Sequence, residues 1–154
     1  GGLLASVMGA DGGLAHLLMT PGGGSRYPTS AQTLPDRMHY LRMEGREVFK
    51  HAVNRMAAAA QEALAQTGVD ASEIACVIPH QANLRIISAV AGRLGVPEDR
   101  LFLNLEVCGN TSGASIGIAL DQAVRQGRIR PGDAVLMFAF GGGFTWAATV
   151  LRWE

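Results

Sequence analysis

Residues 134–151, AVLMFAFGGGFTWAATVL, contain no charged side chain. A run of that length has to be hidden from water, in a bilayer or in a protein core. The three consecutive glycines at its centre, Gly141, Gly142 and Gly143, decide between the two. Each glycine weakens a helix by about 1 kcal/mol relative to alanine, so the triplet would break a membrane helix at its midpoint. The flanking segments are rich in β-branched and aromatic residues and suit two buried strands joined by a tight turn. The stretch reads as a hairpin that needs a cover. With 154 residues, 48% of them hydrophobic and 17% charged, the chain can build one substantial core to supply it.

The remaining pattern describes that cover. GLLASVMG reads as a strand, and the glycine-rich, proline-punctuated residues 11–36 read as mostly loop. Over residues 44–66, Val48, Phe49, Ala52, Val53, Met56, Ala60, Ala63 and Leu64 recur at three- and four-residue steps ahead of Gly68, which predicts a long amphipathic helix. EIACVIP is short, continuously apolar and closed by Pro79, so it is a buried strand. Leu84, Ile87, Ala91 and Leu94 share a second helical face that stops at Gly95 and Pro97. LFLNL is expected to be another strand, CGNTSG a turn, and residues 115–125 a helix burying Ile116, Ala119, Leu120 and Ala123. This order implies an α/β fold, a mainly parallel sheet covered by helices with the last strand antiparallel.

Thirteen basic and thirteen acidic side chains balance, so no global charge points to nucleic acid or a membrane surface. Cys76 and Cys108 lie far apart without CxxC spacing, against both a disulfide framework and a zinc site, and a reducing cytoplasm fits. The N-terminal residues lack the basic n-region of a signal peptide and read as a chain already under way.

Ligands of open α/β sheets bind beyond the carboxyl ends of the strands. Three turns fall there, carrying His80, Asn110 and the glycine triplet. Each can donate a hydrogen bond, through a neutral imidazole, an amide NH2 or a backbone N–H. Together they resemble an oxyanion site, in which loss of one donor raises a barrier by about 3–4 kcal/mol. Acyl transfer or enolate chemistry is the matching reaction class. Each turn also has a plain structural explanation: a hydrogen-bonded histidine at a strand end, a helix cap, a hairpin turn. His16, His39 and His51 have no such neighbours and receive no role. No GxSxG nucleophile elbow is present, Cys76 falls in a core strand, and Cys108 is the one thiol beside a candidate turn.

VIPHQANLRII, GNTSGASIGIALDQAVRQGRI and FGGGFTW, in that order and preceded by MEGREVFKHAV, resemble the C-terminal half of the 3-oxoacyl-[acyl-carrier-protein] synthase III family over essentially the whole chain. The resemblance implies a thiolase-like fold. It divides the chain into residues 1–36, the end of an N-terminal half with its connecting loop, and residues 37–154, the C-terminal condensing-enzyme domain. It also implies condensation of an acyl-CoA starter with malonyl-acyl carrier protein in type II fatty acid synthesis. No cofactor or metal is implied, acyl-CoA and malonyl-carrier protein being substrates.

By the same resemblance His80 and Asn110 are two of three catalytic residues, and the third, a nucleophilic cysteine, belongs to an N-terminal half that neither Cys76 nor Cys108 matches. Gly142 matches an oxyanion-hole N–H. Met43, Gly45, Phe49, Ala82, Asn83 and Ile86 match the lining of a pantetheine tunnel, whose apolar members core packing would explain equally well. Lys50, Arg85 and Arg93 match basic positions that meet the acidic carrier protein, and Gly92 stands where a further basic residue is often found. Cys108 replaces a larger ring residue before GNTS. The implied partners are the N-terminal half, the carrier protein, acyl-CoA and a second copy in a homodimer. An acyltransferase of the same fold with other acceptors, a polyketide-priming synthase, and a non-catalytic carrier-binding fragment remain as alternatives.

Overall fold

The computed structural model describes residues 1–154. Its main sheet contains β1 (Gly2–Ala10), β4 (Ile74–Pro79), β5 (Ala134–Gly141) and β6 (Thr145–Arg152) in the order β1-β6-β5-β4. β5 and β6 form the hairpin anticipated around the glycines, from Ala134↔Arg152 to Gly141↔Thr145. β4 runs parallel to β5, and β1 runs antiparallel to β6. The strands β1, β4 and β5 therefore point one way, and β6 alone points back. Residues on either side of position 36 share this sheet, because β1 pairs with β6.

Alternation along β4 and β5 serves two cores. Val77, Leu136 and Phe138 face α1 (Gly45–Thr67) and α2 (Leu84–Leu94). Cys76, Ile78 and Val135 face α4 (Ala114–Arg125). α1 approaches the sheet closely because its buried face is mostly alanine: Ala52, Ala57, Ala59, Ala60 and Ala63 are all buried. It stops at Gly68 in the left-handed conformation, φ 68°. α2 is capped by Asn83, whose side chain accepts from the Arg85 N–H at 3.0 Å, and it ends at Gly95, also left-handed.

The expected strand LFLNL is corrected. Only Leu101 forms a bridge, parallel to Val77, with the Phe102 N–H on the Val77 carbonyl at 2.9 Å. The next pairing position on that side of β4 is Pro79, which has no N–H to donate, so the backbone ladder cannot continue. The chain instead enters the single-turn helix α3 (Leu105–Cys108). Residues 11–36 also hold more than loop: a 3-10 helix (Gly12–Leu17) follows Asp11, and β2 (Leu18–Met19) pairs with β3 (Arg42–Met43). Asp11 joins this segment to the hairpin turn, exchanging two backbone hydrogen bonds with Phe144, both 2.8 Å. No helix is long and apolar enough to cross a membrane.

Candidate active site

Strand direction brings the ends of β4 and β5 to one edge, and a cleft of about 920 Å³ opens there. Buried Val48, Ala52 and Met56 form its apolar floor, while exposed Leu41, Met43, Arg46 and Arg85 stand at the rim. His80, Asn110 and Gly142, from three separate turns, all line it.

His80 follows β4 and continues its pairing, with its N–H on the Phe138 carbonyl at 2.8 Å. Its imidazole makes no protein hydrogen bond, and burial holds its pKa below the usual 6.5. Neutral imidazole is thus the form at pH 7, with one N–H to donate. Asn110 turns its acceptor inward: its Oδ1 accepts from the Ser112 N–H at 3.0 Å. Since a backbone N–H can only donate, the atom facing it is the oxygen, and the amide NH2 is left as the free end. Gly142 takes no part in backbone hydrogen bonding through its N–H. A Cβ at this position would lie 3.1 Å from the Leu18 carbonyl oxygen, so the strand β2 that sequence left as loop crowds any larger residue here. These are three donors without protein acceptors, the composition an oxyanion requires.

The six residues expected to line a tunnel, Met43, Gly45, Phe49, Ala82, Asn83 and Ile86, all lie on this cleft. Asn83 commits its oxygen to capping α2, and its NH2 has no protein partner. The three basic residues stand on α1 and α2. Arg85 lies on the cleft, its guanidinium 5.9 Å from the centre of the Phe49 ring. Lys50 leans towards Glu47, one helical turn away, at 4.0 Å. Arg93 is at the far end of α2, bonded to Asn54 of α1 at 2.6 Å. Arg46, which sequence did not single out, shares the rim with Arg85 and belongs to none of the ion pairs. Leu18, Ser112 and Phe140 were also missed, and no local pattern marks them.

Of the two thiols, Cys76 is buried in β4, and desolvation raises its pKa. It is a core residue. Cys108 is half-buried and accepts a long contact from Gln122 Nε2 at 3.7 Å. No cluster of His, Cys, Asp or Glu could hold a metal ion.

Comparison with known proteins agrees with the architecture. A beta-ketoacyl-[acyl-carrier-protein] synthase III of Roseiflexus castenholzii is 53% identical over 153 residues, covering 99% of this chain and 46% of the relative. A Desulfitobacterium hafniense protein of the same name is 47% identical with the same coverage. The crystal structure of beta-ketoacyl-[acyl carrier protein] synthase III from Thermus thermophilus superposes with a TM-score of 0.87 at 47% identity, covering 99% of this chain and 46% of that one. The chain therefore spans about half the length of the relatives it matches, and its fold is thiolase-like, as expected. The pattern describing the C-terminal region of 3-oxoacyl-[acyl-carrier-protein (ACP)] synthase III matches residues 64–153, so this chain belongs to that family.

Proposed function

We propose that this chain is the His/Asn-bearing half of a decarboxylating condensing enzyme that joins an acyl-CoA starter to malonyl-acyl carrier protein in the cytoplasm, giving 3-oxoacyl-carrier protein. The observation that carries the reading is the convergence of three unpartnered donors, His80, Asn110 and Gly142, on one apolar cleft. A cysteine outside this chain takes the acyl group from CoA, with the Gly142 N–H supporting the oxyanion of that step. The malonyl thioester oxygen then rests on His80 and the Asn110 NH2. As the carbon–carboxylate bond breaks, carbon dioxide leaves, and its electron pair becomes an enolate whose negative oxygen these two donors stabilise. The enolate carbon attacks the acyl-cysteine, the new carbon–carbon bond forms, and the thiolate is released. No strong base is needed, since loss of carbon dioxide supplies the nucleophile. The full-length protein acts as a homodimer in this reading.

The polyketide-priming alternative stays attached to one finding. The priming beta-ketosynthase of the R1128 polyketide pathway is 36% identical to this chain, with a TM-score of 0.84. Acyl-CoA preference of the full-length protein separates the two.

The test is carbon dioxide release from malonyl-carrier protein by the full-length protein, measured against pH. Protonation of His80 removes the neutral imidazole on which the proposed mechanism relies, and burial delays protonation to pH values below 6.5. The midpoint of the acid-side decline in the His80-dependent rate is therefore expected below pH 6.5. The stability linkage has the same sign: a depressed folded-state pKa favours the native state above the unfolded value, and that advantage is lost as pH falls through the folded one. No carbon dioxide release at any pH, with acyl-CoA present, would leave the carrier-binding alternative standing.

Docking of the carrier protein is assigned mainly to the rim of the cleft. In the full-length protein, Arg85→Ala is expected to raise the KM for malonyl-carrier protein several-fold at low salt, with the difference shrinking as ionic strength rises. Acylation from CoA should change little. Equal losses in both half-reactions would place Arg85 in the tunnel wall instead.

A further inference from the structure

Gln81 is the least expected buried residue of the molecule: 1% exposed, polar, and next in sequence to His80. Its side-chain amide completes the ladder that Pro79 interrupts. In a parallel pair, a strand residue donates to the carbonyl before its partner and accepts from the N–H after it. After the Val77–Leu101 bridge the next such pair on that side is Pro79 with Leu103. Pro79 cannot donate, and Gln81 does so in its place: its Nε2 bonds the Phe102 carbonyl at 3.1 Å, and its Oε1 accepts from the Asn104 N–H at 3.1 Å. The same Nε2 bonds the Pro79 carbonyl at 3.0 Å. One side chain thus performs the work of a peptide group.

The connection continues towards the second donor turn. Asn104, also buried, gives its Nδ2 to Gln122 Oε1 of α4 at 2.9 Å. Its carbonyl accepts from the Val107 and Cys108 N–H groups at 3.1 and 2.8 Å, which forms α3. The Gly109 N–H closes on the Leu105 carbonyl at 2.9 Å, and Asn110 follows. His80 and Asn110 are therefore joined, beneath the cleft, by Gln81, Asn104 and one helical turn.

We propose that Gln81, with Asn104 and Gln122, is a positioning residue that fixes the Asn110 turn relative to His80, so that both donors meet one oxygen. Its kinetic consequence rests on the decarboxylating reading, and its structural consequence does not. A displacement of about 1 Å at a reacting centre is enough to cost about a hundredfold in rate. A core residue with no such role affects stability and both half-reactions together.

The experiment compares full-length parent protein with Gln81→Met, which keeps the length and removes the amide, and with Gln122→Met, on the half-exposed face of α4 where folding is tolerant. Amide hydrogen exchange is followed over residues 107–112. Carbon dioxide release and cysteine acylation are measured at a temperature well below each melting point. Exchange at 107–112 is expected to quicken about tenfold or more in Gln81→Met, and less in Gln122→Met, with α1 and β5 unchanged. The kcat for carbon dioxide release should fall by about 10- to 100-fold in Gln81→Met, with the KM for malonyl-carrier protein and the acylation rate nearly unchanged. Parent-like exchange over 107–112 in both variants overturns the proposal, as does a loss shared equally by the two half-reactions. A parent that releases no carbon dioxide overturns the functional reading instead, and exchange then decides the positioning role alone. If Gln81→Met does not fold, exchange and kcat in Gln122→Met decide it.

Discussion

His80→Ala in the full-length protein is expected to slow carbon dioxide release from malonyl-carrier protein by about a hundredfold or more, and Asn110→Ala by a similar factor. Acylation of the cysteine should persist in both. The expectation follows from where the groups stand. The His80 imidazole and the Asn110 NH2 line one cleft without protein partners, so His80→Ala breaks no side-chain hydrogen bond within the fold, Asn110→Ala gives up only the exposed Oδ1 contact with the Ser112 N–H, and the main cost falls on the transition state. Because the two donors serve one oxygen, the double variant should lose less than the product of the single losses. Radiolabelled acyl-enzyme, evolved carbon dioxide and melting temperature, measured on the same preparations, check this. Unchanged carbon dioxide release in a folded His80→Ala protein would make His80 a filler of space and end the proposed mechanism.

The second large effect is expected at Phe144. The side chain is 1% exposed and packs with Leu17 and Val48 beneath the glycine turn. Its ring lies 4.8 Å from that of Phe140 and 5.6 Å from His51. Phe144→Ala should cost about 3–5 kcal/mol, the range for a buried aromatic whose surroundings cannot collapse into the space. The turn has little else to hold it, since three glycines contribute no side chains and Asp11 is the backbone partner. Acylation, the step assigned to the Gly142 N–H, should therefore fall even where the variant remains folded. Denaturant titration gives the stability; a loss under about 1 kcal/mol would show that the ring does not anchor the turn.

The sequence exposes what is local or periodic. The hairpin around Gly142 is visible because an uncharged run with glycines at its centre has few alternatives. α1 and α2 are visible because their buried positions repeat and glycines stop them. The three donor turns could be placed at one edge because parallel strands end on the same side. What stayed hidden depends on residues far apart in the chain. Nothing near Leu18 announces that its carbonyl will press on Gly142, and β2 is too short to have a period. LFLNL has the composition of a strand, but whether it pairs depends on Pro79. That proline reads correctly as the end of β4. Its further effect, to leave Phe102 without a donor and call Gln81 into the core, appears only when the strands lie side by side. Family resemblance reached the cleft residues that periodicity could not.

The small turn at Asn110 also determines what the cleft refuses. With its oxygen turned to the Ser112 N–H, the amide presents its NH2 as the free end, and the Gly142 N–H can only donate. A carbonyl or thioester oxygen arriving there brings lone pairs and is met. A ligand ending in an ammonium group brings protons to a place that already has them, and leaves these donors without an acceptor. Selection by polarity is thus set by the direction of one side-chain amide, before the apolar walls have sorted anything by size.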